Sequence, residues 1–224
     1  MDKTALTDRE RTIEQIRLAF AAHVFPGDYF LQGSFEGSEP AEEIDPFKSQ
    51  KDWQVIDADF LDAHASALSF FSEAGFRFYL PAYLIADLND QLKIADPLFH
   101  LIHGFSDIAV EAPVKGRVFT IRSGKSVFVN PRRYGALTFF DCARYRLSIF
   151  TREEASAIVA YLRFKRDFDP DTYDKAGIGA ALKLFWLDRA QTAPPAEDLR
   201  KYIADQEAYL AAIRSDSLPS GGER

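Results

Sequence analysis

The chain has 224 residues, 47% of them hydrophobic and 14% aromatic, which is ample for a sizeable core and excludes disorder for most of its length. One cysteine, Cys142, excludes an internal disulfide framework and suits a cytoplasmic setting, and no apolar run approaches the roughly 20 residues of a membrane helix. The net charge of −7 hides a segregation: residues 115–146 hold eight basic side chains and one acidic, whereas residues 1–111 hold 20 acidic and eight basic.

The first ten residues lack the apolar stretch of a signal peptide. Thr7-Asp-Arg-Glu10 has the form of a capping box, and Ile13, Ile16, Ala19 and Phe20 then share one face, so a helix is predicted over about 8–22. Phe25-Pro-Gly-Asp28 turns the chain. Residues 29–50 show no periodicity and read as a long surface loop, a candidate binding loop. Asp57 can cap a helix in which Phe60, Leu61, His64, Ala65, Leu68 and Phe71 share a face. His64 within that stripe reads first as a core histidine bonded to a backbone carbonyl. The functional alternative is a buried general base, although Asp59 and Asp62 are wrongly spaced to be its neighbours on a helix.

Residues 67–87 concentrate more large apolar side chains than any other stretch. Ser72 can serve as N-cap, and Phe76, Tyr79, Leu80, Tyr83, Leu84 and Leu88 recur at helical spacing. Pro81 lies inside that pattern and predicts a kink or a break between two short helices. The carbonyl of Arg77 then needs another partner, such as a tyrosine hydroxyl, a water or a ligand.

These residues carry a resemblance. Phe25-Pro-Gly-Asp28, Glu43-Ile44, Phe47, Trp53, Ala67-Leu-Ser69 and Glu73-Ala74-x-Phe76-x-x-Tyr79-Leu-Pro-Ala-Tyr-Leu84 resemble an uncharacterised family of bacterial domains of unknown function. The resemblance resumes in Phe150-Thr151, in Ala157-Ile-Val-Ala-Tyr-Leu162, and in Ala181-Leu182 with Phe185-Trp186. It implies no activity and no catalytic residues. Residues 104–148 are longer than the family pattern, which would make any role of the basic region this protein's own.

Asp96-Pro97 opens a short helix ended by Gly104. His100 and His103 share its face and are weak metal-ligand candidates, since no further ligands stand at a recognisable spacing; the plainer reading places them as helix-end histidines favouring the C-terminal dipole. Residues 118–121 and 126–129 flank a Ser123-Gly124 hairpin turn that sets Arg122 opposite Lys125, residues 134–140 suit a third strand, and the alternation over 144–150 suits a fourth. Gly124-Lys125-Ser126 fails as a phosphate loop because Phe119 stands where its first glycine belongs, and Gly177-Ile-Gly179 lacks the strand and third glycine of a dinucleotide site, so no cofactor is expected. Thr151-Arg-Glu-Glu154 is a second capping box, and helices follow through Leu162, through Ile178 to Arg189, and from Pro194-Pro195 to Ile213.

The expected fold is α+β, mainly α: a single domain over 1–214 with a small antiparallel β-meander inserted between about 115 and 150, and a disordered polar tail over 215–224. The first functional reading is a non-catalytic interaction module that uses the basic β-region or the 29–50 loop. Arg122, Lys125, Arg132, Arg133, Arg144 and Arg146 are candidate contacts to an acidic protein partner. The alternatives are a hydrolase-type enzyme acting through His64 or the pair His100 and His103, and nucleic-acid binding by the basic segment with Tyr134 and Tyr145 available for stacking.

Overall fold

Ser72 begins the central helix by accepting the N–H of Gly75 on its side chain at 3.0 Å, and the helix runs over Glu73–Leu88. In this computed structural model, which describes residues 3–105, 108–114, 117–123, 139–193 and 196–217, the helix continues through Pro81 and does not break. Proline in a helix interior costs about 3 kcal/mol. Burial of Phe76, Tyr79, Leu80, Tyr83 and Leu84 on several sides of the helix outweighs that cost, because each large apolar side chain contributes roughly 1.5–3 kcal/mol. The tyrosine hydroxyls go to remote carbonyls, not to Arg77: Tyr79 donates to Phe47 and Gln50, and Tyr83 to His64.

In chain order the helices are α1 (Lys3–Phe20), α2 (Glu39–Ile44), α3 (Ala58–Ala63), α4 (Ala67–Phe70), α5 (Glu73–Leu88), α6 (Pro97–Ile102), α7 (Phe139–Leu147), α8 (Arg152–Phe168), α9 (Lys175–Ala181), α10 (Leu187–Arg189) and α11 (Ala196–Ser217). Short 3₁₀ turns occupy Asp28–Phe30, Asp45–Ser49 and Trp53–Val55, and a π-helical segment, Leu182–Trp186, joins α9 to α10. The described residues gather into two compact units, one of residues 1–21 with 96–193 and one of 22–95 with 194–224.

The second unit is built on α5. Residues 31–33 run against 70–75, with the Gly33 N–H donating to the Phe70 carbonyl at 2.8 Å and the Ser72 N–H to the Leu31 carbonyl at 2.7 Å. The approach needs two glycines: a Cβ on Gly33 would stand 2.8 Å from the Phe71 carbonyl oxygen, and one on Gly75 would stand 2.7 Å from that of Leu31. The helix expected from Asp57 through Phe71 is two helices, α3 and α4, because His64 leaves helical geometry at φ −116° and ψ 48°.

The first unit packs α1 against α8. Ile16, Phe20, Ile158, Tyr161 and Leu162 are fully buried, and the rings of Phe20 and Phe150 meet edge to face at 6.3 Å. α1 begins at Lys3, so Thr7 lies within the helix and is not its N-cap. The second capping box forms as predicted, with Thr151 and Glu154 each bonding the other's backbone N–H at 3.4 and 3.0 Å. Trp186 donates its indole N–H to the Leu101 carbonyl at 2.9 Å, which satisfies an acceptor in the last turn of α6.

Among the described residues, the β-meander expected between about 115 and 150 is not present. The expected fourth strand begins inside helix α7, which runs to Leu147, and ends in a turn. The carbonyls of Ser148 and Phe150, which a ladder would have paired, are instead taken by the Arg189 guanidinium. Apart from the antiparallel bridge of Gln32 with Phe71, extended pairing among the described residues is that of the antiparallel segments Ile108–Val114 and Arg117–Ser123, with Ile108 opposite Ser123 and Val114 opposite Arg117. The segment Arg117–Ser123 thus pairs with the residues before it. Of the strand expected over 134–140, Phe139 and Phe140 instead begin α7; its other residues, the strand expected over 126–129 and the tail beyond Ser217 lie outside the described residues, whereas 215–217 are the end of α11.

Candidate functional site

Residues 28–62 carry ten carboxylates and only two lysines, Lys48 and Lys51. The stretch read as a loop is ordered by its few apolar side chains: Leu31, Ile44 and Phe47 are fully buried, and Pro40 opens α2 from a buried position. Phe47 sits at the centre of an aromatic cluster, meeting Phe60, Phe71 and Tyr79 edge to face at 4.9 Å each. The Tyr79 hydroxyl pins the following turn through the carbonyls of Phe47 at 2.7 Å and Gln50 at 2.9 Å. Burial first, and then the nearby Asp28 charge, push the Tyr79 phenol up from its ordinary value.

With the apolar side chains turned inward, Asp28, Glu36, Glu39, Glu42, Asp45, Asp52, Asp57 and Asp59 are all exposed. Lys48 pairs with Asp45 at 2.5 Å, and Lys51 approaches Asp28 at 4.0 Å. The outcome is a strongly negative surface on a fixed backbone. Asp62 is used differently: one of its oxygens accepts the N–H groups of Lys93, Ile94 and Ala95 at 2.8–2.9 Å. Burial pushes this carboxyl up, but the three N–H bonds and Lys93 together hold it below its ordinary value.

Glu43 is the inward-facing acid of α2. Its Oε2 is buried, has no hydrogen-bond partner and lies 3.8 Å from His64 Nδ1, and the His64 ring meets Phe60 at 4.9 Å and Phe47 at 5.8 Å. His64 is therefore a half-buried residue of the aromatic cluster, and its neighbouring acid is Glu43, not Asp59 or Asp62. Its own carbonyl accepts the Tyr83 hydroxyl at 3.2 Å. Glu43 stands 21 residues before His64 in the chain, so helix spacing could not reveal the pair.

His100 and His103 lie at the end of α6, where His103 stacks on Phe99 at 4.6 Å. Burial pushes His100 down to about 3, helped by the Arg146 guanidinium and by His103, and burial also pushes His103 down. Both shifts favour the neutral imidazole, against the pull of the helix's C-terminal dipole toward the cation. Among the described residues no group of three or more His, Cys, Asp or Glu side chains could hold a metal ion.

The basic candidates do not form one described face. Arg144 and Arg146 would share a face of a strand, but in α7 they stand about 200° apart around the axis. Arg144 lies over the Phe140 ring at 5.6 Å, while Arg146 is close enough to His100 to oppose its protonation. Arg122 belongs to the segment Arg117–Ser123, of which only the backbone is described, and Lys125, Arg132 and Arg133 lie outside the described residues.

The profile of a family of unknown function, DUF6714, matches residues 9–120. The chain belongs to this family. The matched span takes in α1 from Arg9 onward, the acidic segment, the Tyr79 and Tyr83 helix and α6, together with the start of the basic segment. It ends before the Phe150, Ala157 and Trp186 motifs. No curated protein and no solved structure matches the chain. Among the described residues, no helix is long and apolar enough to cross a membrane.

Proposed function

We propose that this DUF6714 protein is a non-catalytic binding module whose contact face is the acidic outer side of residues 28–59. One observation carries the reading: the segment buries Leu31, Ile44 and Phe47 completely while turning Glu36, Glu39, Glu42 and Asp45 outward. A contact face that is already ordered loses little conformational entropy on binding, and its carboxylates steer a basic protein or peptide toward it. The partner is thus basic, opposite in sign to the one the basic segment would attract. A single cysteine, half-buried Cys142, fits a reducing compartment, and we place the protein in the cytoplasm.

Fluorescence anisotropy with labelled basic peptides tests the reading. Binding should weaken as salt shortens the screening length from about 10 Å at 0.1 M. The triple variant Glu36→Lys/Glu39→Lys/Glu42→Lys should bind about tenfold more weakly, on the scale of three exposed charge contacts. Equal binding by wild type and triple variant would overturn it.

A second reading, acid–base chemistry, rests on the buried Glu43 Oε2 beside His64. The imidazole and carboxylate are placed as a base and its orienting group, at a separation that a bound substrate would have to shorten. If a hydrolytic activity found by substrate screening is unchanged in His64→Gln and Glu43→Gln, this reading fails.

A further inference from the structure

The C-terminal helix reaches the same acidic segment. α11 is held in the second unit by Gln206, whose side-chain oxygen accepts the Ala74 N–H at 3.1 Å, and by the fully buried Leu210. One turn beyond Leu210, Arg214 places its guanidinium carbon 3.7 Å from the centre of the Tyr29 ring and 5.4 Å from that of Phe35. The same guanidinium donates to the Tyr29 carbonyl at 2.5 Å. Two aromatic faces and a carbonyl oxygen match the flat, weakly hydrated fork of arginine better than the compact ammonium of lysine. Exposed carboxylates flank both rings in the chain, Asp28 before Tyr29 and Glu36 after Phe35, and Tyr29 itself is 43% exposed, so the cage can be reached from solvent.

We propose that Tyr29 and Phe35 form an arginine-recognition cage on the acidic face, and that Arg214 occupies it in cis as a stand-in for an arginine of the basic partner. The proposal rests on the acidic-face reading and adds to it both a residue preference and a competition. A partner's arginine enters by displacing Arg214. Among the described side chains of α11 only Gln206 and Leu210 are buried, so the Arg214 end can lift while the rest of the helix stays docked.

The test compares fluorescent octa-arginine and octa-lysine peptides on the full-length wild type, on Arg214→Ala, and on Arg214→Ala/Tyr29→Ala/Phe35→Ala. Emptying the cage should tighten octa-arginine binding roughly fivefold and leave octa-lysine nearly unchanged, as one guanidinium over an aromatic face would give. Removing both rings should abolish that preference. Arg214→Lys keeps the charge while losing the fork, so it guards against unfolding of α11 and should shift the preference in the same direction. An arginine-to-lysine ratio equal in wild type, Arg214→Ala and Arg214→Lys overturns the cage and leaves the acidic-face reading standing. Binding of neither peptide to any of these proteins overturns both.

Discussion

Removing the hydroxyl of Tyr79 tests whether one buried hydrogen bond fixes the acidic segment. In Tyr79→Phe the ring keeps its contacts with Phe47, Phe71 and Phe78, so packing is preserved and the perturbation is confined to a single oxygen. That oxygen reaches the carbonyls of Phe47 and Gln50 at 2.7 and 2.9 Å, but its one proton makes one full bond between them. The buried Phe47 carbonyl keeps the Gln50 N–H, so what is lost is one hydrogen bond, and a cost of about 1 kcal/mol is expected, or roughly 2–4 °C in melting temperature for a chain of this size. The local readout is sharper. The Gln50 N–H donates to the Phe47 carbonyl at 2.9 Å, and if the loss falls on this turn its hydrogen exchange should quicken by about fivefold. Binding of basic peptides should weaken in step, because the carboxylates would no longer be presented on a fixed backbone. An unchanged melting temperature together with unchanged exchange at Gln50 would refute the pinning role.

Three further outcomes are expected. Gly75→Ala gains about 1 kcal/mol of helix propensity, but its Cβ would stand 2.7 Å from the Leu31 carbonyl oxygen and 3.1 Å from a ring carbon of Phe71. Urea titration should therefore show a net loss of about 1–3 kcal/mol, and a variant as stable as wild type would mean that the backbone crossing yields freely. His100 is pushed down to about 3 in the folded chain, against about 6.5 when unfolded, so the unfolded state binds the extra proton first as pH falls. Stability should then decline from about pH 6.5 downward by up to about 1.4 kcal/mol per pH unit. Urea midpoints measured between pH 4 and 7 should show a flatter acid limb in His100→Gln, and an identical limb would contradict the buried neutral imidazole. Arg189→Lys cannot reproduce the fork that serves the Ser148 and Phe150 carbonyls, and should cost about 2 kcal/mol in thermal melts; a cost near zero would show that water replaces the guanidinium there.

Local signals were legible at every predicted N-cap but Thr7, which lies inside a helix that begins earlier. Ser72, Asp57, Asp96 and Thr151 each cap the helix that their sequence context announces, because an N-cap needs only a side-chain oxygen within three residues of a free N–H. The buried run from Phe76 to Leu84 was equally plain from its spacing. Alternation misled at 144–150, where a polar–apolar pattern suits a strand but the chain enters α7 and a turn. Arg189, about 40 residues further on, takes the carbonyls that a strand would have paired. The 29–50 stretch read as a loop for lack of periodicity, yet it is ordered, since Leu31, Ile44 and Phe47 are placed by the crossing at Gly33 and Gly75 and by the Tyr79 hydroxyl.

By itself the sequence determined the family, and also the helical character, four of the N-caps and the excess of carboxylates before residue 112, which follow from composition or from neighbours within one helical turn. Only the tertiary structure decided that Pro81 is carried through an unbroken helix, that His64 meets Glu43, and that Arg214 lies over Tyr29. Those pairings join residues 21 and 185 positions apart. Contacts at such separations are selected by how buried side chains fill space together, and no short-range pattern in the chain records that choice.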